Sequence, residues 1–235
     1  MRRSLSALFV AVVATTFVVS SPAIADSTSS AGMRNAPSSI KVCIVPLGPY
    51  DRGLTKTAVK GIEYLFGFKV QTKRRRALPK HSYYPPRKRY RADKLLDWLE
   101  AKVVPAHKDC RIVLGFTRVD ISVTKGKHKD WGIFGLGSVG GTVAVVSTYR
   151  MKRVRSWRTI KQRMVKVVNH ELGHVLGLPH YTGSRKGCLM ESAHGTVATV
   201  DNETGLLCPE SIATIESRMK IKLPKHTRFD WRKVL

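Results

Sequence analysis

The chain has 235 residues, with 42 Lys plus Arg against 16 Asp plus Glu and a formal net charge of +26. That length suits one domain with a substantial core. No internal repeat is apparent, and no segment beyond the N-terminal region is long and apolar enough to anchor the chain in a membrane. A repeat architecture and a membrane-spanning protein are therefore excluded as expectations.

Arg2 and Arg3 precede an apolar run from Ala7 to Val19, and Ala23, Ile24 and Ala25 form an AxA-like cleavage site. This is the layout of a secretory signal peptide, expected over residues 1–25. The cleavage region lacks a cysteine, which argues against a lipoprotein. Residues 26–39, rich in Ser, Ala and Asn, read as a flexible lead-in.

Lys41 to Leu47 reads as a buried strand, Thr55 to Phe66 as a helix, Phe68 to Thr72 as a strand and Ala92 to Val103 as a helix. Arg111 to Ile121 and Thr142 to Ser147 read as further strands, the second preceded by the glycine-rich GLGSVGG. Alternating strands and helices predict an α/β domain, a mixed twisted sheet with helices packed on it.

Ile160, Met164, Val168, Leu172, Val175 and Leu176 recur at helical spacing, so a buried helix is expected from about Thr159 to Leu176. It carries the run HELGHVLGLPH, from His170 to His180. Residues four apart share a helix face, so His170 and His174 can direct two imidazoles at one ion, with Glu171 beside them to handle a proton. Gly177 can take the left-handed conformation that ends a helix, and Pro179 prevents its resumption, which turns His180 back towards the pair. Three histidine ligands leave a tetrahedral zinc one open position, where a bound water becomes a usable nucleophile. The spacing thus points to a zinc hydrolase with one catalytic Zn2+.

HExxHxxGxxH is the signature of the metzincins, and the residues after it make the chain resemble the archaemetzincins. Cys188, Leu189 and Met190 are followed, after seventeen intervening residues, by Cys208, a CxMx17C match. VCIVPLG around Cys43, the stretch from Leu78 to Leu99, VLGFTRVDI from Val113, IFGLG from Ile133 and VAVVSTYRM from Val143 also look like segments of that family. The resemblance implies a single catalytic domain over residues 40–222, followed by a basic C-terminal tail, 223–235. It makes Met190 the methionine of the Met-turn, an apolar floor beneath the histidines. It also implies that a substrate peptide pairs with an edge strand above the cleft, for which Val143, Ala144, Val145, Val146 and Ser147 are the candidates.

Two positions depart from the family pattern. Where relatives have the first and last of four cysteines that hold a structural zinc, this chain has Tyr181 and Ser211. An all-thiolate second site cannot form, so a second, structural zinc is expected to be absent. Export to an oxidising compartment reads the four cysteines as two disulfides. By analogy with the loop that zinc fixes in the relatives, Cys188 is expected to pair with Cys208, leaving Cys43 for Cys110.

The positive charge concentrates in KRRR at Lys73, RKRYR at Arg87, KGKHK at Lys125 and RMKRVRSWR at Arg150. Such a surface attracts polyanions in a salt-dependent way, so an anionic cell surface or acidic polysaccharide is a candidate partner, with an unpartnered solvated face as the alternative. Tyr83, Tyr84, Tyr90 and Trp157 would suit base stacking, but export argues against a dedicated nucleic-acid partner.

The function expected is a secreted or periplasmic, monomeric zinc metallopeptidase acting on peptides or proteins. The alternatives are a secreted basic binding protein with a non-catalytic zinc site and a zinc hydrolase of non-peptide amides. Asp120 and Glu191 are the acidic residues considered for holding a substrate amine.

Overall fold

The structure is a computed structural model describing residues 40–152, 154–193 and 196–235. The expected signal peptide and lead-in lie outside the described residues.

The first strand, β1 (Lys41–Pro46), is followed by helix α1 (Arg52–Phe66) and strand β2 (Lys69–Thr72). The Asp51 side chain accepts from the Leu54 amide at 3.0 Å, and Gly67 ends the helix in the left-handed conformation. The cap places the helix start three residues before Thr55. Short strands β3 (Tyr83–Tyr84) and β4 (Arg89–Arg91) lead into helix α2 (Ala92–Trp98). The expected helix to Val103 does not continue as α: Leu99–Val103 is a widened π turn. Pro105, just beyond, has no amide hydrogen to donate to the carbonyl one turn back.

Strands β5 (Ile112–Thr117) and β6 (Ile121–Lys125) divide the single strand expected from Arg111 to Ile121. Arg118 to Asp120 break the run, and the two halves belong to different sheets. After β7 (His128–Ile133), β8 (Gly135–Gly137) and β9 (Val143–Ser147) come the long helix α3 (Trp157–Val175) and helices α4 (Val197–Asn202), α5 (Pro209–Met219) and α6 (Trp231–Val234).

The main sheet has the order β2-β1-β5-β9-β8, parallel except for β8. A second sheet runs β3-β4-β6-β7, and the chain crosses from it to the main sheet through Phe134, between β7 and β8. Because side chains alternate along a strand, the main sheet feeds two cores. Val42, Ile44, Leu114, Phe116, Ala144 and Val146 pack with α1 and α3, while Cys43, Val45, Val113, Val143 and Val145 pack with α2 and its extension. Burial on both faces explains why these strands read as nearly continuous apolar runs.

Two disulfides tie the domain: Cys43 in β1 to Cys110 ahead of β5, and Cys188 to Cys208 at the start of α5. The C-terminal segment is not a tail. Leu223, Phe229 and Val234 are buried, Trp231 lies against Phe229, and the Asp230 amide donates to the Tyr64 hydroxyl of α1 at 3.0 Å. Its apolar residues are interspersed among Lys and Arg that face outwards, and that mixture is what makes the segment read as merely basic.

Several residues of the basic runs serve the fold. Arg89 bonds Asp120 at 2.7 Å and Asp130 at 2.6 Å, Arg91 donates to the Lys129 carbonyl, and Arg150 holds Asp120 at 2.7 Å. Among the described residues no helix is long and apolar enough to cross a membrane.

Candidate active site

Ser156 caps α3 by accepting from the Thr159 amide at 3.2 Å, and the helix carries His170, Glu171 and His174 across its buried length. At its end the Gly177 amide reaches the His174 carbonyl at 2.8 Å, and Gly177 has φ +97°. Only a residue without Cβ takes that conformation without strain, and it reverses the chain so that His180 returns beneath the helix.

One ring nitrogen from each of His170, His174 and His180 lies within 4.8 Å of the others, and the His174 and His180 Nε2 atoms are 3.3 Å apart. The opposite nitrogens are committed. His170 Nδ1 lies 2.7 Å from the Leu189 carbonyl and His174 Nδ1 lies 2.8 Å from the Leu178 carbonyl. A carbonyl can only accept, so each Nδ1 carries the hydrogen and each Nε2 turns a lone pair into the cluster. Burial, reinforced by the neighbouring His174, pushes His170 down to about 3 against the opposing hydrogen bond to Leu189. Burial likewise lowers His174. Neutral imidazoles oriented by carbonyls are the form and tautomer that ligate zinc, so the donor set fits the ion.

Glu171 is buried beside this cluster, and burial raises its carboxyl to about 8 against a hydrogen bond from the Gly137 amide. The strand above it has almost no side chains. A Cβ on Gly135 would stand 2.6 Å from the Glu171 Oε1, and one on Gly137 would stand 2.5 Å from the Glu171 carbonyl oxygen. These glycines allow the strand to lie directly on α3.

Val143 to Ser147 form a strand where expected, but not at the sheet edge. β9 is flanked by β5 and β8, so the edge beside the histidines is Gly135–Gly137. The edge-strand assignment therefore moves from β9 to β8, whose outer backbone groups face the cleft.

Met190 is fully buried, its Sδ pressed under Gly173 of α3, and its carbonyl accepts from the Tyr181 amide at 2.7 Å. Both carboxylates considered for an amine are otherwise engaged. Asp120 is held by Arg89 and Arg150, and the Glu191 Oε1 accepts from the Gly187 and Cys188 amides at 2.6 and 3.2 Å. The cleft, about 500 Å³, is lined by the histidines and Glu171 together with Lys125, Trp131, Ser192, Val200 and Glu203. Glu203, only 5% exposed, is a cleft residue that sequence reasoning missed. Nothing in its local sequence marks it; its burial arises from the packing of α4 onto α3.

The model of Peptidase family M54 matches residues 60–217. The archaemetzincin of Haloarcula marismortui is 30% identical over 175 residues, covering 71% of this chain and 94% of that protein. The archaemetzincin structure from Methanopyrus kandleri superposes with a TM-score of 0.65 at 25% identity, covering 77% of this chain and 96% of that one. That from Archaeoglobus fulgidus, in complex with malonate, gives 0.63 at 26% identity, with 74% and 99% covered. The chain belongs to Peptidase family M54 and is an archaemetzincin-like zinc metallopeptidase.

Proposed function

We propose that the chain hydrolyses peptide bonds with a single zinc ion held by His170, His174 and His180 and with Glu171 as general base. The observation that carries this reading is the set of three mutually close imidazole nitrogens with Glu171 buried next to them under an edge strand. Bound there, zinc supplies a Lewis acid for the scissile carbonyl and acidifies a water. Glu171 accepts the proton of the attacking water and passes it to the leaving amine nitrogen. Gly135–Gly137 offers backbone groups to an extended substrate, aligning it along the cleft as an added strand. The Leu189 and Leu178 carbonyls hold the His170 and His174 rings in position while Met190 fills the space below.

Glu171→Gln keeps the shape of the side chain and removes the base. It should retain zinc, measured by elemental analysis, and lose at least about a hundredfold in cleavage of a peptide library. Turnover equal to that of the unmodified protein would refute the role.

We further propose that the protein is exported. Two disulfides within one small domain suit an oxidising compartment, and the N-terminal layout suits a cleaved signal peptide. N-terminal sequencing of protein from the extracellular or periplasmic fraction should begin at Asp26; full-length protein retained in the cytoplasm would refute export.

A further inference from the structure

The cleft that holds the histidines is also lined by Glu203, together with Val200, Ser192 and Val167. Its carboxyl has no hydrogen bond or ion pair among the described residues, although the residue is only 5% exposed. Lys166, the basic group whose charge acts on it, spends its ammonium on the carbonyls of Val200 at 2.7 Å and Asp201 at 3.0 Å. A buried carboxyl facing an open subsite without a partner is costly unless the occupant supplies one.

We propose that Glu203 is a specificity-determining residue, and that the subsite it closes takes a cationic side chain, Lys or Arg, of the substrate residue next to the scissile bond. The proposal rests on the peptidase reading above. An apolar side chain of the same length would strip the remaining water from the carboxyl and give nothing back, so the subsite discriminates against it. A lysine or arginine reaching down the cleft meets an acceptor with free lone pairs and no competing donor. Burial, with a smaller contribution from the like charge of Glu191 and against the pull of Lys166, raises the empty-site carboxyl to about 9. On docking of the cation the carboxyl ionises and its proton leaves to solvent, so the pair forms as a charge-assisted hydrogen bond.

The test uses the zinc-loaded mature protein and peptides blocked at both termini, which carry Lys, Arg or the lysine-length apolar norleucine at each residue flanking the scissile bond. At one of the two positions the unmodified protein should cleave the Lys or Arg peptide with a kcat/KM at least about tenfold above norleucine. Glu203→Gln should reduce that ratio towards one, and Glu203→Asp should keep part of it. Equal rates for lysine and norleucine in the unmodified protein would overturn the proposal. So would an unchanged ratio in Glu203→Gln, or a parallel loss for all peptides, which is the signature of a merely structural residue. Failure of the unmodified protein to cut any peptide would refute the peptidase reading itself, a result distinct from cleavage without a basic preference.

Discussion

The Nδ1 of His170 donates to the carbonyl of Leu189 across 2.7 Å, so the ring of a proposed zinc ligand is oriented by the residue that precedes Met190. The Leu189–Met190 turn and His170 are one mechanical unit, since Met190 in turn lies fully buried under Gly173, between the two helical histidines. Met190→Ala should therefore act twice. Loss of a buried side chain costs about 2 to 5 kcal/mol of stability. Relaxation of the Leu189 carbonyl should weaken metal affinity by about 10- to 100-fold, as loss of a ligand-orienting contact does. Thermal unfolding and competition with a chromophoric chelator measure the two effects separately. Unchanged affinity at reduced stability would show that the turn supports only the fold.

The edge strand gives a second prediction. Gly135→Ala adds one methyl group, which meets the Glu171 Oε1 and Cγ at 2.6 Å. The strand or the carboxylate must shift, and a displacement of that order costs about a hundredfold in rate. The three histidines are not touched, so zinc content should be unaltered while kcat/KM falls. Full activity in Gly135→Ala would mean that the strand can withdraw without harm to Glu171.

What the sequence made legible follows from how locally each feature is encoded. Helix α3 and its histidines were readable because helical periodicity and the four-residue spacing are properties of one segment, and β1 because its buried run is continuous. β8 was not, because three residues of Gly-Leu-Gly carry no alternation and their role depends on which neighbour they pair with. The second sheet hides for a related reason. β3 and β4 are two and three residues long and separated by Pro85 and Pro86, so only pairing with β6 reveals them. Glu203 was invisible because burial of a single acid is a tertiary fact. Leu223, Phe229 and Val234 anchor the C-terminal segment through contacts with distant α1, at spacings that match no regular period.

The disulfides yield a third prediction, in which connectivity and location separate their effects. Cys188–Cys208 closes a span of 20 residues and Cys43–Cys110 one of 67, worth about 3 and about 4 kcal/mol by loop entropy. Replacing Cys188 and Cys208 together by serine should lower Tm by about 10 °C and also weaken zinc binding, because Leu189 is the next residue along. Replacing Cys43 and Cys110 should cost at least as much stability and leave zinc affinity alone, since that bond lies on the α2 side of the sheet. Equal effects of the two pairs on affinity would remove the link between the disulfide and His170.

A fourth prediction concerns pH. The Glu203 carboxyl is raised by burial to about 9 in the folded protein, against an ordinary value of 4.5 when unfolded. A raised carboxyl pKa means that the folded state holds its proton while the unfolded state releases it. Between about pH 4.5 and 9 the unfolded chain is therefore favoured increasingly, by roughly 1 kcal/mol per pH unit. Below pH 4.5 both states are protonated and the residue is neutral in its effect. Glu203→Gln removes the titration while keeping the shape, so its stability advantage over the unmodified protein should be near zero at pH 4 and should widen steadily to pH 9. Denaturant midpoints across that range measure the gap. A gap independent of pH would mean that Glu203 is ionised in the folded protein at neutral pH, with Lys166 as its counter-ion.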